Sequence, residues 1–423
     1  MLSIHYIREN KAEVIERLSV KNFDAKETIE QIISIDESRR KTQNEMDSLL
    51  QASNQLAKQI GDLFKSGNTA EANDLKNKSG ALKEETAVLK ERLENLENEQ
   101  NYLLVKLPNM PHASVPVGKT PAENINVFQW GELPVLPETA KPHWELTTQY
   151  DIIDFELGNK LTGAGFPVYK GKGAKLQRAL INYFLNSAVD AGYKEIQPPI
   201  LVNEASGFGT GQLPDKEGQM YHVGIDNLYL IPTAEVPVTN ILRDVILKEE
   251  ELPVMMTAYT PCFRREAGSY GKDVRGLNRL HQFDKVEIVQ VQHPDASYQT
   301  LEEMKEHVAS LLKALELPFR ILRLCGGDMS FASALTFDFE VFSAAQQKWL
   351  EVSSVSNFET FQSNRLKLRF RGKDGKPQAA HTLNGSALAL PRIVAALLEN
   401  NQTEKGIRIP SVLVPYTGFE YID

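Results

Sequence analysis

Residues 27–104 constrain the fold of this chain more than any other stretch, because they contain no proline and space their apolar residues by threes, fours and sevens. That spacing predicts two helices, each with a narrow apolar seam. The seam positions are Met46, Leu49, Ser53, Leu56, Ile60 and Leu63 in the first helix and Leu75, Leu82, Leu89, Leu93, Leu96 and Leu103 in the second. Between them, Gly67 and Asn68 tolerate the positive φ of a tight turn. The pattern therefore predicts an antiparallel helical hairpin.

A change in composition marks the end of this region. Seven prolines fall between residues 108 and 142, and proline is incompatible with the interior of a helix or of a central strand. We therefore expect a linker at 108–142 that separates an N-terminal domain, residues 1–107, from a second domain, residues 143–423.

The second domain alternates helical and strand patterns irregularly. Residues 174–191 read as an amphipathic helix, and strands are predicted at 196–202, 227–231, 258–265, 280–292, 336–342 and 367–370. Most of these strands are connected by loops or hairpins rather than by helical crossovers. The predicted fold class is α+β, with a mainly antiparallel sheet flanked by helices.

Composition excludes several classes of protein. Apolar residues make up 42 % of the chain, and we find no apolar run long enough to span a membrane. The net charge of −9 argues against a general coat for nucleic acids, although local patches decide binding. The cysteines Cys262 and Cys325 cannot form a disulfide framework, and we expect both to be buried in a reduced, cytoplasmic protein. Histidines lack the spacing of a zinc site.

Residues 259–291 carry the most informative chemistry. They read as a strand ending near Glu266, a glycine-rich loop and a return strand, in which alternation puts Phe283 and Glu287 on one face. On the incoming strand, Arg264 and Glu266 are expected to share a face. A charged, solvent-facing side of the hairpin is the simpler interpretation. The loop favours a site for a nucleotide, because an aromatic ring stacks on a base and arginine binds phosphate. Its cationic residues and glycines are Arg265, Gly268, Gly271, Lys272, Arg275, Gly276 and Arg279.

The sequence Phe-Arg-Arg-Glu at 263–266, together with His-Gln-Phe-Asp-Lys-Val-Glu at 281–287, resembles motif 2 of class II aminoacyl-tRNA synthetases in its seryl form. Other segments are similar to further parts of that family. These are 196–202 (motif 1, at the dimer interface), 231–237 (amino-acid binding), 351–354 (nucleotide and magnesium) and 382–392 (motif 3). The resemblance covers essentially the whole chain, including the hairpin.

The resemblance implies an ATP-dependent ligase that activates L-serine as seryl-adenylate and transfers it to tRNA(Ser). It implies catalytic roles for Arg264, which would hold the α-phosphate, for Glu266 on the adenine amino group, and for Arg392. The implied ATP-binding residues are Arg264, Arg265, Glu266, Phe283, Glu351, Val352, Ser353, Ser354 and Arg392. Of these, Glu351 and Ser354 would hold Mg²⁺. The implied serine-binding residues are Thr233, Ala234, Glu235, Glu287, Thr382, Asn384 and Ser386.

The same resemblance implies partners. The hairpin would contact tRNA(Ser), the enzyme would form a homodimer, and it would charge tRNA(Sec) where a cell has one. Cations of the hairpin agree with RNA contact: Arg39, Arg40, Lys41, Lys76, Lys78, Lys83, Lys90 and Arg92. The alternatives are a purely structural coiled coil for the hairpin, a regulatory RNA-binding paralogue without catalysis, and a carrier-protein ligase built on the same catalytic fold.

Overall fold

The computed structural model describes residues 1–215, 218–266 and 275–423. The chain forms two compact units, Met1–Ser19 with Phe23–Pro108 and Val20–Asn22 with Asn109–Asp423. Three residues of the predicted cationic loop, Gly268, Gly271 and Lys272, lie outside the described residues.

The first unit confirms the helical hairpin. Its elements are α1 (Ile4–Glu9), α2 (Lys11–Val20), α3 (Lys26–Lys65) and α4 (Thr69–Leu104). Every predicted seam position of α3 and α4 is buried or half-buried, as expected for two helices that pack along narrow stripes. Gly67 adopts φ +82° in the turn between them, a conformation that glycine reaches without steric cost.

A buried carboxylate stabilises the base of the hairpin. Asp36 accepts hydrogen bonds at 3.0 Å from Arg8 and at 3.0 Å from Arg39. Burial by itself raises the pKa of Asp36, but the hydrogen bonds from Arg39 and Arg8 outweigh it and hold that pKa below its usual value. Arg39 is therefore committed to the packing of the hairpin, whereas Arg40 and Lys41 are exposed.

The second unit is built from helices and short strands around one large sheet. Its helices are α5 (His143–Gln149), α6 (Phe155–Leu161), α7 (Gly171–Asp190), α8 (Glu204–Thr210), α9 (Glu235–Asn240), α10 (Ser297–Ala314), α11 (Thr360–Leu366), α12 (Leu390–Asn400) and α13 (Val414–Thr417). Its strands are β1 (Ile125–Trp130), β2 (Ile153–Asp154), β3 (Val168–Tyr169), β4 (Lys194–Glu195), β5 (Leu201–Val202), β6 (His222–Val223), β7 (Leu228–Leu230), β8 (Ile246–Lys248), β9 (Val254–Phe263), β10 (Gln282–Gln292), β11 (Phe319–Arg323), β12 (Leu335–Ser343), β13 (Lys348–Asn357), β14 (Arg369–Arg371), β15 (Pro377–Ala379), β16 (His381–Ala389), β17 (Gln402–Thr403), β18 (Gly406–Arg408) and β19 (Tyr421–Ile422).

The large sheet has the strand order β1-β11-β12-β13-β16-β10-β9-β4. All of its pairs are antiparallel except β4 with β9, which confirms the predicted mainly antiparallel sheet. Strands β11, β13 and β16 were not predicted as strands, although β13 and β16 lie in the centre. Strand β13 contains three serines and an asparagine, and β16 contains threonine, asparagine, glycine and serine, so it is pairing on both sides that makes these segments strands.

The two faces of the sheet differ. Val286 and Ile288 of β10 belong to the main core, which contains buried residues of α7, α10 and α12. The other face carries Ala234 and Val238, packed against Val289 and the neighbouring strand β9. Alternation along β10 therefore sends Glu287 away from the main core, as predicted.

The proline-rich segment at 109–142 belongs to the second unit. It contributes β1, which pairs with β11 at the edge of the large sheet. Edge strands tolerate proline-rich surroundings because one side needs no ladder partners. Cys262 and Cys325 are both free and buried, as predicted. Among the helices of the described residues, none is long and apolar enough to cross a membrane.

Candidate active site

The hairpin of β9 and β10 positions the first group of predicted residues. Strand β9 ends at Phe263, so the prediction that a strand continues to Glu266 is wrong. Glu266 adopts φ +49°, and strand alternation does not relate it to Arg264. The chain turns here so that the Glu266 carboxylate forms an ion pair with Arg279 from the return side of the loop.

Arg264 connects two parts of the site. Its guanidinium lies 5.3 Å from the centroid of the Phe283 ring, an arrangement typical of a cation–π contact. Its Nε donates to the carbonyl of Pro232 at 3.4 Å, directly before Thr233. Arg265 points elsewhere, since its guanidinium lies 5.9 Å from the centroid of Tyr221.

A buried polar pocket adjoins Arg264. Glu287, whose surface is 2 % exposed, pairs with Lys285 at 2.7 Å. Lys285 also donates to the hydroxyl of Thr233 at 2.8 Å, and that hydroxyl lies 3.3 Å from the Glu287 carboxylate. Ser386 of β16 is in register with Glu287. The pocket therefore holds one ammonium, one carboxylate and two hydroxyls, all shielded from water.

A second carboxylate, Glu235, forms the back of the pocket. Gln362 donates to it at 2.6 Å, and Gln362 in turn accepts from the Thr382 hydroxyl at 2.7 Å. Burial first, and repulsion from Glu287 second, raise the pKa of Glu235 to about 7. Asn384 hydrogen-bonds to the same carboxylate. Gln362 thus connects the Thr382 hydroxyl to the Glu235 carboxylate.

A cavity of about 580 Å³ lies beside strands β11, β12 and β13. Glu351 and Ser354 both line it, although side chains three residues apart on a regular strand point to opposite faces. The reason is a bulge: Phe339 pairs with Ser353, and Glu340 pairs with Glu351, so that Val352 is an extra residue.

Asp338 contributes a further carboxyl group to this cavity. Its Oδ1 is buried and has no hydrogen-bond partner. Burial, followed by repulsion from Glu351, raises the pKa of Asp338 well above its usual value, and Ser354 hydrogen-bonds to it. Within the described residues, no three histidine, cysteine, aspartate or glutamate side chains converge on one metal position. A cation here would need oxygens from a ligand or from water.

Arg392, the third residue of α12, lies beside Glu351, with its Nη1 3.7 Å from Oε2 of that carboxylate. Its Nη1 donates to the carbonyl of Glu351 at 2.7 Å, and its Nε donates to the carbonyl of Asn278 at 3.0 Å. The guanidinium is therefore held by backbone atoms at two points, and it remains partly exposed.

The structure separates the predicted residues into those that face the site and those that support it. Ala234 and Val352 are core residues, and their side chains pack against other apolar side chains. Ser353 donates to the carbonyl of Ser386 at 2.5 Å, which links two strands. Sequence reasoning missed Lys285, Gln362 and Asp338. Lys285 lies within the recognised motif 2 segment, and that proximity was the available signal.

Two family models match the chain. Residues 1–111 match "Seryl-tRNA synthetase N-terminal domain", and residues 221–401 match "tRNA synthetase class II core domain (G, H, P, S and T)". The chain is 50 % identical to a serine–tRNA ligase of Salinibacter ruber and 48 % identical to that of Chlorobium luteolum. These alignments cover 100 % of this chain and 99 % of each relative.

Solved structures agree with these matches. A seryl-tRNA synthetase from Pyrococcus horikoshii complexed with ATP is similar with a TM-score of 0.91 at 34 % identity, covering 99 % of both chains. A cytoplasmic serine–tRNA ligase from Naegleria fowleri in complex with AMP is similar with a TM-score of 0.87 at 26 % identity, covering 100 % of this chain and 99 % of the other.

Proposed function

Because the chain belongs to the seryl-tRNA synthetase family and is a serine–tRNA ligase, we propose that the site described above activates L-serine with ATP and then transfers the seryl group to tRNA(Ser). The observation that carries this proposal is the position of Arg264. It lies against the ring of Phe283 and is bonded to the carbonyl that precedes Thr233. One guanidinium thus borders both an aromatic ring on which a base can stack and the buried polar pocket that begins at Thr233.

In this proposal Arg264 binds the α-phosphate and the reacting carboxylate. Phe283 stacks on adenine, and Glu266 accepts from the adenine amino group. Arg392, which lies beside Glu351, binds the other phosphates. The serine carboxylate attacks the α-phosphorus in line, and pyrophosphate leaves. No side-chain nucleophile is required, because positioning and the neutralisation of phosphate charge supply the catalysis.

We propose that Mg²⁺ is held by Glu351 and Ser354. The oxygen donors of these side chains suit Mg²⁺, which binds one or two carboxylates and completes its shell with phosphate oxygens and water. The unpartnered Oδ1 of Asp338 in the same cavity supports a cation at this position. Held by these residues, Mg²⁺ would supply positive charge that offsets the charge of the phosphates.

The pocket of Thr233, Glu235 and Glu287 is proposed to bind serine, with Asn384 and Ser386 near its side chain. Lys285 pairs with one oxygen of Glu287. We therefore assign the serine ammonium to the other oxygen of Glu287 and to the carboxylate of Glu235. Thr382 does not bind serine directly in this proposal; its hydroxyl donates to Gln362, which holds Glu235. Lys285 and Gln362 belong to this proposal although sequence reasoning did not name them.

Replacing Arg264 is expected to cripple adenylate formation. The Arg264→Ala variant should lose about 10²–10³ in turnover, comparable to the loss of one preorganised donor to a developing charge. The measurement is ATP–pyrophosphate exchange without tRNA. Arg265→Ala is the matched control, since that side chain is exposed and lies over Tyr221. Near-normal exchange by Arg264→Ala would contradict the assignment.

Serine affinity is expected to increase as pH rises from 6 to 8. Glu235, with a pKa of about 7, is mostly protonated at pH 6, and the proton must leave before the carboxylate can pair with the serine ammonium. The KM for serine should therefore fall by about tenfold across this window. Glu235→Gln keeps the shape without the charge, so its KM should be higher and independent of pH here. An unchanged pH slope in that variant would rule out Glu235 as the titrating group.

Further aspects of the proposal come from the family. We propose that the helical hairpin binds tRNA(Ser), that the enzyme is a homodimer working in the cytoplasm, and that it also serylates tRNA(Sec) where that tRNA exists. The exposed cations of α3 and α4 support contact with an RNA backbone. They are Arg40, Lys41, Lys76, Lys78, Lys83, Lys90 and Arg92.

A further inference from the structure

A fully buried histidine–glutamate pair lies outside the residues assigned above. The side chains of His143, the first residue of α5, and Glu399, near the end of α12, are both 0 % exposed. The Nδ1 of His143 lies 2.7 Å from Oε1 of Glu399, and its backbone N–H donates to the same oxygen at 2.9 Å. Ser343 donates to the other oxygen. Burial of such a pair is costly unless each polar atom is satisfied, and here the carboxylate has several donors.

The other ring nitrogen of His143 faces the return side of the motif 2 loop. The backbone N–H of Leu277 donates to Nε2 at 2.8 Å. Since Nε2 accepts, the ring is neutral and carries its proton on Nδ1, which donates to Glu399. A Cβ on Gly276 would lie 2.2 Å from Nε2, so only glycine lets the backbone approach the ring this closely. Arg275 adds a contact, with its guanidinium 4.9 Å from the centroid of Trp144.

The anchored segment continues into the ATP residues. The carbonyl of Asn278 accepts from Arg392 Nε at 3.0 Å, while the Asn278 amide donates to Gln346 at 3.0 Å. Gln346 in turn donates to Glu399 at 2.9 Å. The next residue, Arg279, pairs with Glu266. Residues 275–279 therefore connect the buried pair to both Arg392 and Glu266.

We propose that His143 is a positioning residue for ATP. Held in one tautomer by Glu399, its imidazole fixes residues 275–279, and these orient the guanidinium of Arg392 and the Glu266–Arg279 pair. This inference rests on the ATP roles proposed above for Arg392 and Glu266. It predicts that damage to the buried pair weakens ATP binding selectively, because among the described residues no hydrogen bond or ion pair joins Thr233, Glu235 or Glu287 to the His143–Glu399 pair.

Two replacements of His143 separate its two contacts. The amide of His143→Gln reaches the place of Nε2 and accepts from Leu277, whereas that of His143→Asn reaches only the place of Nδ1 and leaves the Leu277 N–H unpaired. In pyrophosphate exchange, His143→Asn should raise the KM for ATP about tenfold, as expected for one unpaired buried donor. Its KM for serine should remain within about twofold, and His143→Gln should restore most of the ATP affinity.

Several outcomes would overturn the inference: equal KM values for ATP in the two variants, or a parallel rise in the KM for serine. Thermal melting of each variant checks folding. Should His143→Asn fail to fold, Gln346→Met provides the second test, because it removes the support of Asn278 while keeping side-chain length. Gln346→Met should raise the KM for ATP without raising the KM for serine, and an unchanged KM for ATP would refute the inference.

Arg392→Ala is measured in parallel. If Arg392→Ala leaves the KM for ATP unchanged, the proposed role of Arg392 is wrong. If Arg392→Ala raises the KM for ATP but His143→Asn does not, only the positioning role of His143 is rejected.

Discussion

Alanine is expected to support pyrophosphate exchange roughly 10⁴-fold less efficiently than serine, measured as kcat/KM without tRNA. The pocket of Thr233, Glu235, Glu287, Asn384 and Ser386 is lined by polar groups that are all nearly inaccessible to water. Serine can pair with them through its hydroxyl. Alanine lacks that hydroxyl, and each buried polar group that loses it as a partner costs about 1–3 kcal/mol. Threonine should be rejected too, by its extra methyl group, although more weakly than alanine.

Two variants distinguish direct from indirect contributions to this selectivity. Ser386→Ala removes a hydroxyl at the position in register with Glu287. This variant should lower the ratio of kcat/KM for serine to kcat/KM for alanine. Thr382→Val removes a hydroxyl that is bonded to Gln362. This variant should raise the KM for serine, because Gln362 then holds the Glu235 carboxylate less firmly. The ratio of kcat/KM for serine to that for alanine should stay nearly unchanged. Wild-type exchange with alanine within about tenfold of serine would refute the pocket assignment.

Shortening the helical hairpin is expected to abolish tRNA charging while leaving serine activation intact. Removing residues 47–87 cuts both helices at matching distances from the Gly67 turn, and the turn sequence can be reinstated at the new end. The base of the hairpin, with Asp36, Arg8 and Arg39, is retained, and the first unit should therefore still fold. The proposed ATP and serine residues all lie at Thr233 or later. Aminoacylation and pyrophosphate exchange are measured side by side.

A charge-matched pair of variants tests why the hairpin is needed. Replacing the exposed Lys76, Lys78 and Lys83 by glutamine should weaken tRNA binding and reduce its dependence on salt, because each phosphate contact releases counterions. Replacing the nearby Glu84, Glu85 and Glu91 by glutamine changes the same number of charges, but it should not weaken tRNA binding. If the shortened enzyme charges tRNA normally, the hairpin is a structural element and the alternative of a scaffold holds.

Sequence periodicity located the hairpin because its information is local. Helices α3 and α4 begin and end within a residue or two of the predicted stretch, since apolar spacing and a glycine turn act over neighbouring residues. The recognised segments likewise named Arg264, Glu287, Glu351 and Arg392 without a structure. Alternation also put Val286 and Ile288 on the face opposite Glu287.

Predictions from the alternation of side chains along a strand failed where the backbone is irregular. Glu266 and Arg264 are not related as strand neighbours, because β9 ends at Phe263 and Glu266 has a positive φ. Glu351 and Ser354 line one cavity only because of the bulge at Val352. A bulge depends on how two strands pair, and pairing partners are not written in the local pattern. For the same reason, the polar central strands β13 and β16 were not recognised as strands.

What the sequence by itself determined is the helical hairpin, the mainly antiparallel second domain and the chemical types of residue available to the site. Tertiary structure decided how those residues act. Gln362 reaches Glu235 across 127 residues of chain, and Glu399 reaches His143 across 256. Lys285 occupies one oxygen of Glu287, and burial raises the pKa of Glu235 to about 7. Such effects depend on desolvation and on contacts between distant segments, which exist only once the chain has folded.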